Sequence, residues 1–220
     1  QYQAMSYLDG LYHQLNDSVA QKKGFFSFLK SKPAAPKGLY MWGGVGRGKT
    51  WMMDMFYDSL TIERKMRQHF HHFMQRVHQE LNNLQGQSDP LEKVADIIYA
   101  EAVIICFDEF FVSNVSDAMI LGDLFTMLFN RGVTLVATSN IEPAGLYKDG
   151  LHRDRFMPAI AEVERHTTVM NIDSGIDYRL RVLQQAELYE SPLTKANHHW
   201  LANRFASLSN NQKISNAPIT

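Results

Sequence analysis

The sequence predicts an α/β protein, a mostly parallel sheet flanked by helices and carrying a phosphate-binding loop. Three observations lead there. Gly43-Gly44-Val45-Gly46-Arg47-Gly48-Lys49-Thr50 fits the pattern G-x-x-x-x-G-K-[ST] without a gap. A continuous apolar run, Val103-Ile104-Ile105-Cys106-Phe107, ends in Asp108-Glu109, as a buried parallel strand does where its carboxyl end meets a ligand. Short strand-like runs alternate with helix-like segments along most of the chain, the pattern of a parallel sheet.

Bulk properties fit this class. The chain has 220 residues, 45% apolar and 20% charged, with a net charge of −1. A near-neutral total argues against a strongly basic nucleic-acid surface. Cys106 is the only cysteine, so no intrachain disulfide can form, and a reducing compartment fits. No apolar run approaches the 18 or so residues of a spanning helix, and no signal-peptide pattern opens the chain. A start at Gln1 without Met suggests a trimmed chain.

In chain order, residues 1–32 read as helical. Met5, Leu8, Leu11, Tyr12 and Leu15 stand at helical spacing, and Phe25, Phe26, Phe28 and Leu29 form a dense apolar cluster. The arm is expected to pack on the core, with a partner surface as the alternative. A proline-marked linker, residues 32–37, leads into a short buried strand at 38–42. After the glycine loop a helix runs from Lys49 to Leu60, with Met52, Met55, Phe56 and Ser59 on one face. Alternation near 66–71 predicts a second strand, followed by a helix with Phe73, Val77, Leu81 and Leu84 inward. His69, His71, His72 and His78 lack a clear metal-ligand set, so a metal site is only a weak alternative there to a solvated face or a lining for a partner or nucleic acid. Residues 85–90 read as a loop and 91–99 as a short helix. Past the Asp-Glu strand, Ser116 is placed to cap a helix over 117–130, with Leu121, Leu124, Phe125 and Leu128 buried and Gly132 just past its end. Strands are expected at 133–138 and at 169–172.

The chemistry concentrates at the ends of these strands. Glycines at positive φ let backbone N–H groups wrap a β-phosphate. The candidate nucleotide contacts are Gly43, Gly44, Val45, Gly46, Arg47, Gly48, Lys49, Thr50 and Trp51. Lys49 would reach the β and γ oxygens, and Thr50 and Asp108 would hold Mg²⁺. Glu109 is placed to polarise an attacking water, and an Asp-Glu pair suits hydrolysis because the metal alone needs only the first acid. In Thr138-Ser139-Asn140, Asn140 is the candidate γ-phosphate sensor; a turn or capping role before Pro143 is its alternative. Arg153 and Arg155 flank Asp154, and either could enter a neighbouring subunit's site as a trans arginine. The alternative is two surface arginines with a local salt bridge to Asp154.

Taken in order, these motifs resemble the AAA+ ATPases. Longer blocks narrow the resemblance to the AFG1-like family and its bacterial branch: 38–50, His69-Phe70-His71-His72-Phe73-Met74, Cys106-Phe107-Asp108-Glu109-Phe110-Phe111-Val112, Asp117-Ala118-Met119 and Asp177-Tyr178-Arg179. The resemblance implies a five-stranded parallel sheet in the order 5-1-4-3-2. It implies ATP with Mg²⁺, and a homo-oligomer sharing its arginine. It also implies action on FtsZ polymers at the bacterial division site, in the cytoplasm, with the inner membrane reached only through the division machinery. No stable nucleic-acid partner is expected. On this reading residues 1–37 form a helical arm and linker, 38–175 the nucleotide-binding core and 176–220 the start of a lid. The chain departs from the family in two places. Asn114 stands where the family usually has an acid, and the family continues past the position of Thr220, so the lid is expected to be partial. Trp200 to Leu208 reads as a lone amphipathic helix, and Arg179 or Arg181 could stand in for a lid arginine.

Two other functions compete. One is a nucleic-acid loader or helicase accessory, for which Arg64, Lys65, Arg67 and Arg76 are the available cations. The other is a nucleotide-gated scaffold with little turnover, which the intact Glu109 opposes and a partial lid favours.

Overall fold

The computed structural model describes residues 1–22 and 35–172. The apolar cluster at 25–29, the Asp-Tyr-Arg block at 177–179, Arg181 and the helix expected at 200–208 lie outside them. The described residues hold six α-helices and five strands: α1 (Tyr2–Lys22), β1 (Gly38–Trp42), α2 (Lys49–Ser59), β2 (Lys65–His69), α3 (Phe70–Asn83), α4 (Pro90–Glu101), β3 (Ile104–Asp108), α5 (Val115–Arg131), β4 (Thr134–Ser139), α6 (Arg153–His166) and β5 (Thr167–Asn171). All strand pairs are parallel, and the sheet runs β2-β3-β4-β1-β5. Read from the other edge this is 5-1-4-3-2, as expected.

The side-chain alternation of a strand divides the core into two layers. Leu39, Met41, Ile104, Cys106 and Val136 face α1 and α2, where they meet Leu8, Leu11, Met52 and Phe56. Tyr40, Ile105, Phe107, Leu135 and Ala137 face the other way, towards Phe73, Ala95, Leu124 and Phe156 of α3 to α6. With both faces covered, the inner strands can be apolar throughout, and every residue of β3 and β4 is buried. The N-terminal arm therefore packs on the core: Ala4, Leu8, Leu11 and Leu15 form its inward stripe, and the Tyr7 hydroxyl donates to the Lys37 carbonyl.

Four local features differ from the sequence expectation. In α2, Met53 is buried and Met55 is exposed, because the helix meets both the sheet and α1 and its inward face is rotated towards the strands. β2 stops at His69 and the helix begins at once with Phe70, so the strand ends two residues earlier than the alternation indicates. The cap of α5 is Asn114, whose Oδ1 accepts from the Ser116 backbone N–H at 2.8 Å; Ser116 is the second residue of the helix. α6 was not anticipated at all. It follows His152, which is left-handed at φ 57°, and carries Pro158 inside it. Pro158 lies within the first two turns, and it packs beside Gly122 of α5, where an added Cβ would sit 3.5 Å from the proline ring. Gly132 ends α5 at φ 90° as its position indicated, with its N–H bonded to the Leu128 and Phe129 carbonyls.

Truncating an inward residue of α1 should loosen this layer. Leu11→Ala, at a position only 2% exposed, is expected to lower unfolding stability by about 2–5 kcal/mol in a urea titration.

Candidate nucleotide site

The parallel strands all end at one edge, and the functional residues gather there. Between β1 and α2 the chain turns through Gly43, Gly46 and Gly48, at φ 138°, 78° and 76°. These are conformations that a side chain resists, and they turn the loop around the start of α2. No acidic residue stands in the first turn of that helix, so its exposed N–H groups and dipole are available to an anion. Lys49 is the first residue of α2 and is only 8% exposed. Its Nζ donates to the carbonyls of Gly43 at 2.6 Å and Gly44 at 2.8 Å, and to Asn140 Oδ1 at 3.3 Å. Val45, Thr50 and Trp51 are exposed around the loop. The Arg47 side chain lies across it, since a Cβ on Gly44 would stand 3.4 Å from Arg47 Nε. Gln1 Nε2, where α1 starts, donates to the Arg47 carbonyl at 2.9 Å.

The ends of β3 and β4 are tied together. The Phe110 N–H donates to the Thr138 carbonyl at 2.7 Å, the Glu109 N–H to Thr138 Oγ1 at 3.2 Å, and Ser139 Oγ to the Phe110 carbonyl at 2.8 Å. Thr138 and Ser139 therefore hold backbone, and of the Thr-Ser-Asn run only Asn140 presents its side chain to Lys49. The ties also hold Glu109 at φ 53°, a sparsely populated region for a residue with a side chain, which persists only where its surroundings enforce it. This bend leaves the Glu109 side chain exposed while Asp108 is buried, so two adjacent acids have different environments.

Asp108 has divided contacts. Its Oδ2 accepts from Arg67 Nε at 2.9 Å. Its Oδ1 is buried and has no hydrogen-bond partner among the described residues. A buried carboxylate oxygen left over in this way, beside a loop that can hold phosphate, fits a bound Mg²⁺, and Thr50 is the hydroxyl expected to share it. Arg67 also forms an ion pair with Asp54 of α2. Burial works against its charge, but the hydrogen bonds to Asp108 and Asp54 outweigh it and raise its pKa above the usual arginine value. On the same layer, burial pushes the Cys106 thiol up to about 12, so it is a core residue and a poor nucleophile.

Other expected residues stand apart. Arg153 is half-buried at the start of α6, with Nη2 donating to the Ala144 carbonyl at 2.6 Å. Arg155 is exposed. Among the described residues neither bonds to the glycine loop or the acid pair, and neither pairs with Asp154. The histidines lie at the mouth of β2: the His71 and His72 rings are 3.9 Å apart, and His69 is in register with Asp108. His78 is bonded to Asp117 at 2.6 Å and links α3 to α5.

The four cations of 64–76 are paired inside the molecule. Arg64 donates to the Tyr99 and Ala100 carbonyls near the end of α4. Lys65 donates to the Tyr57 and Leu60 carbonyls, Arg67 joins Asp54 and Asp108, and Arg76 makes a two-pronged pair with Glu101 at 2.6 and 2.7 Å. Sequence reasoning missed Arg67 and Asp54. The available signal was the alternation Lys65, Arg67, His69, which puts three cationic or titratable residues on one strand face.

The AFG1-like ATPase family model matches residues 1–219. The chain belongs to the AFG1-like ATPase family. It is 63% identical over 163 residues to the cell division protein ZapE of Escherichia coli K12, an alignment covering 74% of this chain and 44% of that one. It is 41% identical over 182 residues to lactation elevated protein 1 homolog B of Danio rerio, covering 78% and 36%. The aligned part of the chain spans less than half the length of these curated relatives. Among solved structures, a proposed primosome component of Streptococcus pyogenes serotype M3 matches with a TM-score of 0.52 at 14% identity, over 78% of this chain and 79% of that one. That likeness concerns the fold alone, a parallel sheet flanked by helices.

Thr138→Val should test the tie that holds Glu109. It is expected to lower stability by about 1 kcal/mol through the lost hydrogen bond, measured by denaturant titration.

Proposed function

We propose that the chain is the nucleotide-binding core of an ATP hydrolase that couples turnover to the remodelling of a protein partner, FtsZ polymers at the bacterial division site. The observation that carries the hydrolase reading is the convergence on one sheet edge of Lys49, Asn140, the orphan oxygen of Asp108 and the strained Glu109. The division role is supported by the 63% identity to a cell division protein. A site in the cytoplasm belongs to this reading, with the inner membrane reached through other division proteins; none of the described helices is long and apolar enough to cross a membrane.

The backbone N–H groups of Gly43 to Thr50 and the start of α2 would bind the phosphates, with Val45, Arg47 and Trp51 flanking the nucleotide. Lys49 would exchange its contacts with the Gly43 and Gly44 carbonyls for β and γ oxygens. Thr50 and Asp108 would hold Mg²⁺, which neutralises phosphoryl charge when bound. Glu109, solvent-facing and carried on a bent backbone, would orient the attacking water. Asn140 is already within reach of Lys49 Nζ, so it would sense the γ-phosphate through the same cluster. A neighbouring subunit would supply the arginine. Arg155 suits that role better than Arg153, because Arg153 is engaged by the Ala144 carbonyl. The internal pairing of Arg64, Lys65, Arg67 and Arg76 leaves little charge for phosphate backbone contacts, which favours a protein partner over nucleic acid.

Separating binding from turnover tests the assignment. Glu109→Gln is expected to keep Mg·ATP affinity and to lower the ATPase rate by about 10²-fold or more, whereas Lys49→Ala should lose nucleotide affinity itself, measured by calorimetry. Equal loss of affinity in both variants would remove Glu109 from the water-orienting role. In the complete protein, ATPase rate per subunit should rise with protein concentration, and Arg155→Ala should flatten that rise. FtsZ polymer turbidity should fall with wild type plus ATP and hold with Glu109→Gln.

A further inference from the structure

Arg67 reaches two acids that belong to different elements. Its side chain lies on the α2 side of the sheet, as does that of its register partner Cys106. Nε donates to Asp108 Oδ2 at 2.9 Å, and Nη1 pairs with Asp54. The Arg67 side chain is 20% exposed and that of Asp108 10%, so this contact is shielded from water and from salt. Asp54 follows Thr50 by four residues on α2, so the two share a helix face. The other oxygen of Asp108 is the buried one that lacks a partner.

We propose that Arg67 is a positioning residue for the divalent cation: it clamps Asp108 of β3 to the helix that carries Thr50 and turns Oδ1 towards the site. The proposal rests on the reading that Thr50 and Asp108 hold Mg²⁺. A guanidinium suits the task because its planar fork can engage two carboxylates at once, which an ammonium on a flexible stem does less well. Two effects oppose each other when Arg67 is removed. The lost positive charge would favour a nearby cation. Against that, Asp108 would be buried without its counter-charge and free to turn, and Mg²⁺ demands near-ideal octahedral geometry. The second effect dominates, because the clamp fixes the orientation of one metal-binding group and its connection to the other.

The test is the affinity of a non-hydrolysable ATP analogue, measured by calorimetry on the full chain with Mg²⁺ and with EDTA. Wild type should bind more tightly with Mg²⁺. Arg67→Ala should reduce that Mg²⁺-dependent gain by about 10-fold or more, as loss of an outer partner does at a metal site, while affinity in EDTA stays close to wild type. Arg67→Lys should not restore the gain. Asp54→Asn, which keeps the Arg67–Asp108 pair and so guards against a folding defect, should reduce it by a smaller factor. An unchanged or larger gain in Arg67→Ala would overturn the proposal, as would equal losses with and without Mg²⁺ or full rescue by lysine. Should Arg67→Ala fail to fold, an unchanged gain in Asp54→Asn overturns it. A wild type with no Mg²⁺-dependent gain would sink the cation-site reading itself.

Discussion

A buried ammonium group organises this sheet edge. Lys49 is almost out of solvent, and a charge in that position needs polar partners close by. The loop supplies two carbonyls and the end of β4 supplies an amide oxygen, so one cation draws together the β1–α2 turn and the residue after β4. Those partners are neutral. A phosphate oxygen would be a stronger partner for the same cation, because a charge-assisted hydrogen bond to an ionised acceptor is roughly twice as strong as one between neutral groups. On the proposed reading, the lysine would exchange these neutral partners for stronger ones.

The same edge shows how a fold can give two neighbouring acids different properties. Asp108 ends β3 inside the layer facing α2, where Arg67 balances its charge. One residue later the backbone is bent to φ 53° and Glu109 emerges into solvent. The bend is held by bonds from β4, and Thr138 and Ser139 are used up in making them. Strain at Glu109 therefore depends on the parallel pairing of β3 with β4, which in turn depends on apolar runs that both cores cover. A change in the packing of Phe107 or Val136 would reach Glu109 through this route without touching it.

Much of this was legible in the sequence, for identifiable reasons. The glycine loop and the Asp-Glu strand are contiguous motifs, and their places between β1 and α2 and at the end of β3 follow from local pattern alone. The strand order came from the family resemblance, since local pattern cannot say which strands are neighbours. Leu8, Leu11 and Leu15 of the inward stripe of α1 are legible from their helical period, while Ala4 is too small to stand out and Met5 and Tyr12 lie at its margin. α6 was hidden by Pro158 and by the left-handed His152 before it. Capping propensity cannot choose between Asn114 and Ser116, since both residue types cap helices and only backbone conformation separates them. Arg67 and Asp54 were invisible as a pair: they are thirteen positions apart, and their common partner, Asp108, lies on a third element.

Pairing also decides how the basic residues should be counted. A cluster such as Arg64, Lys65, Arg67 and Arg76 suggests an anionic partner when it is read along the chain. In space, two of the four satisfy carbonyls at or near helix ends, where cations complement the dipole and the unbonded groups, and two bind carboxylates. Each has an intramolecular task that a phosphate backbone would have to displace. Those tasks join α2, α3, α4, β2 and β3 through polar contacts outside the apolar layers. In this cluster positive charge therefore works chiefly as internal fastening, and the cation proposed to meet phosphate is the lysine of the loop.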